Sequence, residues 1–279
     1  MRFIGMVRYT LNETLRKGTL LFYAAIGFII VLFFAFGLSR SPSSPNAIMI
    51  FGRQFTESPS ESISIIDFFL VMLHRQASSS MLLFGVFGVA GLIPSLLEKG
   101  TIEIFLSKPL NRSLLLFARS LGATLAIAMN IIGFTFAVWL VIGLRLGDWN
   151  WGFLWSGFLS AYSFACFFSI ITFIGLTTRS TGISVMLAFM FALISTGLEL
   201  RETGLYLLWE NGLYHRMLDV LYYCTPQLEG MSRSATAMIA ALPISTFPTQ
   251  FQVAPFVFSL ASSIGWYGLS AWYFSRQDF

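Results

Sequence analysis

Charged residues are scarce in this sequence. Only 11% of its 279 residues are charged and 56% are hydrophobic, whereas an ordinary soluble domain has about 25% charged residues. The mean hydropathy is +0.75. Because so few polar side chains are available to cover a surface, the composition excludes a soluble enzyme, a disordered chain and a nucleic-acid-binding domain. It predicts a protein that lies in a lipid bilayer.

Cysteine, histidine and the common catalytic motifs are also scarce or absent. Two cysteines, Cys166 and Cys224, are too few for a disulfide scaffold. The lack of a G-x-x-x-x-G-K-[ST] loop argues against ATP hydrolysis by this chain, and the lack of H-E-x-x-H and C-x-x-C motifs disfavours a zinc enzyme. Met72 and His74 leave a soft-metal site as an alternative. We expect His74 and His215 near a membrane face and away from a nucleophilic serine, which disfavours an intramembrane protease. No catalytic, metal or cofactor site is predicted.

Long runs without charge predict six membrane spans. A helix needs about 20 apolar residues to cross the hydrocarbon core. The predicted spans are residues 18–39, 77–97, 120–144, 149–178, 180–198 and 253–275. The first run follows basic residues, as in a signal peptide, but a signal peptide has an apolar region of only about 7–15 residues. An uncleaved first span therefore fits better.

Four segments lie between or before these spans. Residues 1–17 predict an amphipathic helix on the membrane surface. Residues 40–62 are rich in Ser and Pro and predict a loop. Residues 63–73 are apolar but interrupted by Asp67, which predicts a short surface helix. Residues 199–252 are too long for a simple connection and predict a helical subdomain on the outer face.

The distribution of basic residues predicts the orientation. Ten of the 17 lysine and arginine residues fall in the N-terminal segment, the loop between spans two and three, the turn after span four and the C-terminal segment. They are Arg2, Arg8, Arg16, Lys17, Lys99, Lys108, Arg112, Arg119, Arg179 and Arg276. By the positive-inside rule, these segments and both termini face the cytoplasm.

The loop between spans two and three has the pattern of a short amphipathic helix. Ile102, Phe105 and Leu106 share one face. Gly100 permits a sharp exit from the span, and Pro109 ends the helix. Such a helix suits docking into a groove of another protein, and it equally suits an interfacial turn whose apolar face lies in lipid. The pattern alone does not distinguish the two.

The same loop resembles the E…GTLE-x-LLS-x-P-x-x-R signature of ABC-2 type permeases, the membrane subunits of many ABC exporters. The residues that carry the resemblance are Glu98, Gly100, Thr101, Ile102, Glu103, Phe105, Leu106, Ser107, Pro109 and Arg112. Residues 274–279 (FSRQDF) are similar to the F-x-R-x-D-F ending of the family. One departure is that Glu98 lies only two residues before Gly100.

The resemblance implies an all-α membrane protein with one ABC-2 type transmembrane domain over residues 1–279. This domain would have six transmembrane helices, an N-terminal amphipathic interfacial helix, a cytoplasmic coupling helix at 98–112 and an outer-face helical insert at 199–252 between spans five and six. The coupling helix would sit in a cleft of an ATPase subunit, and residues 1–17 would be the connecting helix beside it. The implied location is a prokaryotic inner or cytoplasmic membrane.

The implied partners are two ABC ATPase subunits, which would bind the ATP and magnesium, a second permease copy of the same or another sequence, and the lipid bilayer. The expected function is a permease subunit that forms the translocation path of an exporter. A secondary transporter, which should carry charges inside its spans, and a membrane-embedded assembly scaffold are the alternatives.

Few positions within the spans are informative. Asn130, in the middle of span three, is expected either to pair with another helix or to line the path. Glu199 and Arg201 are expected at an outer gate, with solvated loop charges as the alternative. Gly85, Gly88 and Gly91 recur every three residues and predict close helix packing, with a pore-lining flank as the alternative.

Overall fold

The computed structural model describes residues 2–40, 48–55, 65–98, 111–240 and 251–277. This part of the chain contains ten α-helices, a short 3₁₀ helix and three short strands. The α-helices are α1 (Arg2–Leu15), α2 (Gly18–Gly37), α3 (Ile65–Val89), α4 (Leu92–Leu96), α5 (Arg112–Leu146), α6 (Trp151–Thr178), α7 (Thr181–Glu199), α8 (Gly212–Cys224), α9 (Leu228–Ile239) and α10 (Ala254–Ser275). The 3₁₀ helix is Leu205–Leu208, and the strands are β1 (Leu38–Arg40), β2 (Ile48–Ile50) and β3 (Arg53–Phe55).

Five helical segments are long and apolar enough to cross a membrane. They are Gly18–Gly37, Ile65–Leu96, Arg112–Leu146, Trp151–Thr178 and Thr181–Glu199. The fold is therefore that of an all-α membrane protein. The sixth predicted span corresponds to α10, which is not among the five. Its five serines and its tyrosine and tryptophan residues lower its hydropathy.

The long helices form a bundle, and hydrogen bonds between helices show which helix termini lie together at each of its two ends. At one end, Arg119 of α5 donates to the carbonyl of Leu92 in α4. At the other end, Asn150, the N-cap residue of α6, donates to Asp67 in the first turn of α3 and to the carbonyl of Ile239 in α9. Consecutive long helices from α2 to α7 therefore run in opposite directions.

Helix α10 runs alongside α6 in the same direction. The Tyr162 hydroxyl of α6 donates to the Phe256 carbonyl at the start of α10, 2.8 Å away. Farther along, the Phe173 ring packs against the Tyr273 ring. The end of α10 thus reaches the same end of the bundle as the end of α6.

Helix α6 is the centre of the bundle. Within its most apolar stretch 72% of the residues are buried, against 17% in α2 and 22% in α7. Glycines allow neighbours to approach closely. A β carbon at Gly157 would lie 2.7 Å from Thr135 of α5, and one at Gly152 would overlap the Met238 carbonyl of α9. The core of the protein therefore lies around α6.

Helices α8 and α9 form a hairpin whose tip enters the bundle. The Gln227 backbone N–H, at the tip, donates to Ser259 of α10, and Ser195 of α7 donates to the Pro226 carbonyl. The Cys224 carbonyl accepts a hydrogen bond from the Trp266 indole. Residues 212–239 are thus largely helical, and residues 241–250 of the predicted insert lie outside the described residues. The membrane face of this insert stays a prediction.

The prediction of a separate surface helix at residues 63–73 was wrong. Helix α3 is continuous from Ile65 to Val89, so this apolar stretch begins the second span. Asp67 does not interrupt the helix, because it lies in the first turn, where a carboxylate is favourable. The Asn150 side-chain amide also donates to it at 2.9 Å.

The loop predicted at residues 40–62 contains strands. Strands β1, β2 and β3 form an antiparallel sheet in that order. Phe51 and Gly52, between β2 and β3, have φ angles of 48° and 79°. Two consecutive positive φ angles are typical of the tight turn that suits the twist of a β-hairpin.

Candidate functional site

Basic residues concentrate at one end of the bundle, where the α1–α2 junction, α4, the start of α5 and the ends of α6 and α10 meet. We call it the basic end. Its described basic residues are Arg8, Arg16, Lys17, Arg112, Arg119, Arg179 and Arg276, and its described acidic residues are Glu13 and Glu98. The described residues of the opposite end, the loop end, include as many acidic as basic side chains. This asymmetry is the one on which the predicted orientation depends.

Helix α1 lies across α5 at the basic end. Met6, Thr10 and Thr14 are buried in this contact. A β carbon at Gly122 of α5 would lie 2.7 Å from Thr10 and 2.8 Å from the Val7 carbonyl, so only glycine fits there without a shift of α1. The opposite face, with Arg8, Asn12 and Arg16, is exposed. The predicted amphipathic segment therefore places its apolar side on the protein.

Arg119 joins α1, α4 and α5. Its side chain is only 2% exposed, and its Nη1 atom lies 2.6 Å from Oε2 of Glu13. Its Nη2 atom lies 3.3 Å from the Leu92 carbonyl and 3.3 Å from Ser95 Oγ. Burial lowers the pKa of the adjacent Lys17, an effect that Glu13 opposes. A buried cation needs such partners, so Arg119 fixes the three helices relative to one another.

Most of the predicted coupling residues lie outside the described residues. These are Gly100, Thr101, Ile102, Glu103, Phe105, Leu106, Ser107 and Pro109. Glu98, directly before this segment, is exposed. Arg112, the first residue of α5, donates to the Gln277 carbonyl just beyond α10. Both ends of the segment therefore lie at the basic end.

Asn130 borders a cleft between α2, α3 and α5. The other polar residues that line the cleft are Tyr23, Gln76 and Ser80. Asn130 is only partly buried. Asn130 thus lies at the edge of an open space between these helices.

Glu199 lies in a network of charges at the loop end. Its side chain is 14% exposed, accepts a hydrogen bond from the Tyr222 hydroxyl at 2.9 Å and lies 3.5 Å from Nη1 of Arg233. Glu229 is 3.5 Å from the same arginine and 3.3 Å from Arg75 of α3. The network joins α3, α7, α8 and α9.

Arg201 extends this network. Its guanidinium donates to Asp219 at 3.1 Å and lies 3.6 Å from the centre of the Tyr222 ring. The hydrogen bond from Tyr206 lowers the pKa of Asp219, and Arg201 adds to this shift. Arg201 and Glu199 are therefore not solvated loop charges, and both join the insert to α7.

His74 lies inside α3, where the sequence analysis placed it near a membrane face. It is 4% exposed, its Nδ1 atom is 2.9 Å from Ser156 Oγ, and its Nε2 atom is 3.3 Å from Ser78 Oγ. Buried polar groups need such partners, so this cluster joins α3 to α6. Met72 is 38% exposed and lies two residues before His74 in the same helix, so the two side chains are on different faces of α3. Asp67, His74 and Ser78 are spaced seven and four residues apart and so share one face of α3. This spacing indicates a polar helix face that packs inside the protein, which the sequence analysis missed.

The glycines of span two lie at helix contacts. A β carbon at Gly85 would be 2.7 Å from the Phe164 ring, and one at Gly91 would be 3.2 Å from Thr181. These distances agree with the packing interpretation.

Neither protein-family models nor curated protein sequences match this chain. The resemblance to ABC-2 permeases stays a prediction that depends on the residues quoted above. The function has to be inferred from those residues and from the geometry of the two ends of the bundle.

Proposed function

We propose that this protein is the permease subunit of an ATP-driven ABC exporter, coupled to separate ATPase subunits. The observation that carries the proposal is the arrangement of residues at the basic end. There Glu98 and Arg112 flank the signature segment in the sequence, and α1 is held to α5 through the Glu13–Arg119 ion pair. A partner that binds residues 99–110 would act directly on α4 and α5.

Six crossings follow if α10 spans the membrane. Helix α10 has 22 residues and no charge, and it lies beside α6 along its length. Together with the five apolar helical segments, it gives an even number of crossings. An even number of crossings brings both ends of the chain to the same side of the membrane, which agrees with the presence of both Lys17 and Gln277 at the basic end. We place this end in the cytoplasm of a prokaryotic cell.

In the proposed coupling mechanism, the contacts of Arg119 link α1, α4 and α5. ATP binding would close the two ATPase subunits and move the segment 99–110. Because Arg119 holds α1, α4 and α5 together, this movement would shift all three helices as one body. Access would then alternate between the two faces of the membrane. Helices α2 and α7, the least buried of the bundle, are the proposed contacts with lipid or with the second permease copy.

A secondary transporter is the second candidate, because α3 contains polar and charged residues that the sequence analysis placed outside the spans. Asp67, His74 and Arg75 all lie in this helix. Charged residues within spans are typical of ion coupling. In this structure, however, Asp67 is bound by Asn150 and Arg75 lies 3.3 Å from Glu229, which favours a structural role.

The test is a double variant of the coupling segment. Phe105→Ala with Glu103→Lys should weaken the association with the ATPase subunit or separate ATP hydrolysis from transport, because the docked apolar face and its charge are both changed. Co-purification and transport in membrane vesicles supply the two readouts. Ser60→Ala, in the opposite loop, is the control and should leave both unchanged.

The proposal fails if the double variant co-purifies with its ATPase and transports at the normal rate. The secondary-transporter alternative predicts a different result. Transport would then stop when the proton or sodium gradient is collapsed and would continue when ATP is depleted.

A further inference from the structure

Helix α8 is amphipathic, but its polar side faces the protein. Asp219 accepts hydrogen bonds from Arg201 and from the Tyr206 hydroxyl. The Tyr222 hydroxyl, one turn farther along, donates to Glu199. The opposite side, which we call the apolar face of α8, carries large side chains that are each at least half exposed, namely Leu213, Met217, Val220 and Leu221. A surface helix of a soluble protein has the reverse arrangement, so this face requires an apolar neighbour.

The contacts of α9 show how deep the α8–α9 hairpin lies. Near the end of α9, the Met238 carbonyl lies beside Gly152 at the start of α6. Near its beginning, Met231 accepts a hydrogen bond from Ser163 of α6 at 3.6 Å. Ser163 is 12 residues after the start of α6, which is about 18 Å along the helix axis. Because α6 is long and apolar enough to cross the membrane, the beginning of α9 lies well below the loop end.

Helix α7 gives the depth of the hairpin tip relative to the membrane boundary. This helix has 19 residues, so its length of about 28 Å nearly equals the thickness of the hydrocarbon core, about 30 Å. Its last residue, Glu199, therefore marks the boundary at the loop end. Ser195, four residues earlier, donates to the Pro226 carbonyl at the tip. The tip thus lies about 6 Å inside the hydrocarbon core, while Glu199 and its charged neighbours lie at the level of the headgroups.

The apolar face of α8 is also continuous with the exposed surface of α10. The Tyr223 ring packs against the Phe258 ring, with 4.8 Å between the ring centres. Cys224, the last residue of α8, is exposed, and its carbonyl accepts a hydrogen bond from the Trp266 indole. Val257, next to Phe258, is more than half exposed. Exposed apolar side chains therefore pass from one helix to the other without an intervening charged group.

We propose that α8 and α9 form a re-entrant hairpin that enters the bilayer at the loop end, and that the apolar face of α8 lies against the acyl chains of that leaflet. The C-terminal half of α8 lies among the acyl chains, and its N-terminus lies among the headgroups. The charged groups on the other side of α8 are shielded from lipid by the helix itself. This inference depends on α6 and α7 as spans and holds whether or not the chain is a transporter subunit.

The test measures depth with nitroxide spin labels on the purified protein in phosphatidylcholine nanodiscs. One label is attached to the native Cys224 in a Cys166→Ala variant. The others are attached to Leu213→Cys, Met217→Cys or Val220→Cys in a background that also contains Cys224→Ser. All labelled positions are exposed, so the fold should be retained. Oxygen concentrates among acyl chains and nickel ethylenediaminediacetate stays in water, so the ratio of their collision rates with the label reports its depth.

Two further labels serve as references. Leu193→Cys lies on the exposed side of α7, two residues before Ser195, and so reports the depth of the tip. Glu202→Cys lies beyond the end of α7 at a side chain that is 70% exposed, and so reports water.

The ratio of collision rates should rise from position 213 through 217 and 220 to 224, over a depth of up to about 16 Å. Its value at 224 should equal that at 193 and exceed that at 202. Ratios at 217, 220 and 224 equal to that at 202 would show that water covers the face and would overturn the proposal. Immobile labels that collide little with either reagent would show that a protein surface covers it, such as a second copy, and would overturn the proposal as well.

A second measurement uses the unsubstituted chain. An aryl diazirine that dissolves in the acyl chains is photolysed in the same nanodiscs, and mass spectrometry locates the labelled residues. Met217, Val220 and Leu221 should be labelled, whereas Asp219 and Tyr222 on the protein-facing side should not. Labelling of α7 and α10 without labelling of α8 would overturn the proposal.

Discussion

The ion pair between Glu13 and Arg119 allows a quantitative test of how α1 is held. Glu13→Ala removes the carboxylate that lies 2.6 Å from a guanidinium that is only 2% exposed, while the contacts of Arg119 to Leu92 and Ser95 remain. Removal of one member of a fully buried pair typically costs about 3–5 kcal/mol. Because Glu13 is 28% exposed, solvent screens the pair, and we expect about half of that, ~2 kcal/mol, as a loss of α1 docking.

The readout is amide hydrogen exchange of α1 in the purified protein. A loss of ~2 kcal/mol corresponds to an increase of about 30-fold in the open population of the helix, and exchange should accelerate by that factor. The double variant Glu13→Ala with Arg119→Met should recover more than half of the protection, because the buried charge itself is then removed. Asn12→Ala, on the exposed face of the same helix, is the control. Equal exchange in Glu13→Ala and Asn12→Ala would refute the reasoning.

Three further predictions concern the remaining contacts. Gly152→Ala should lower the stability in detergent by about 1–3 kcal/mol in thermal unfolding, because the new methyl group overlaps the Met238 carbonyl, whereas Gly133→Ala, with open space around it, should not. The lowered pKa of Asp219 means that its hydrogen bond from Tyr206 and its ion pair with Arg201 stabilise the docking of α8 above the ordinary carboxyl pKa of about 3.9. This contribution is lost as the pH falls through the lowered value. The effect should be under about 1 kcal/mol because Asp219 is 41% exposed, and Asp219→Asn should remove this acid dependence from the hydrogen exchange of α8, corrected for intrinsic rates. His74→Ala should cost about 2–4 kcal/mol in the same thermal assay through the cavity and the lost hydrogen bonds, and an unchanged melting temperature would contradict the buried-cluster interpretation.

The membrane character and most helix positions could be predicted from the sequence. Charge-free runs mark α2, α6 and α7 closely, because a helix in lipid needs little besides length and apolar residues. The amphipathic helix predicted at residues 1–17 also agrees with α1, which buries the face with Met6, Thr10 and Thr14 and exposes the other. Its location against α5 was not predictable, because it depends on Gly122 and Arg119, more than a hundred residues away in sequence.

The missed features depend on contacts between distant residues. The start of α3 was misplaced because Asp67 and Arg75 interrupt the charge-free runs that predict the spans. Their partners, Asn150 and Glu229, are distant in sequence. The role of His74 depends likewise on Ser156. The strand pair around Phe51 and Gly52 has only a weak local signal, a glycine directly after the apolar segment Ile48–Phe51.

Site-specific photo-crosslinking at position 105 tests the central claim most directly. In cells that express the chain under native conditions, a benzoylphenylalanine in place of Phe105 should form a crosslink to one protein that binds and hydrolyses ATP, and ATP with vanadate should change the crosslink yield. The same group in place of Ser60 should form no such crosslink. Crosslinks from position 105 to lipid alone, or to a protein without ATPase activity, would contradict the proposal that this chain is an ABC permease subunit.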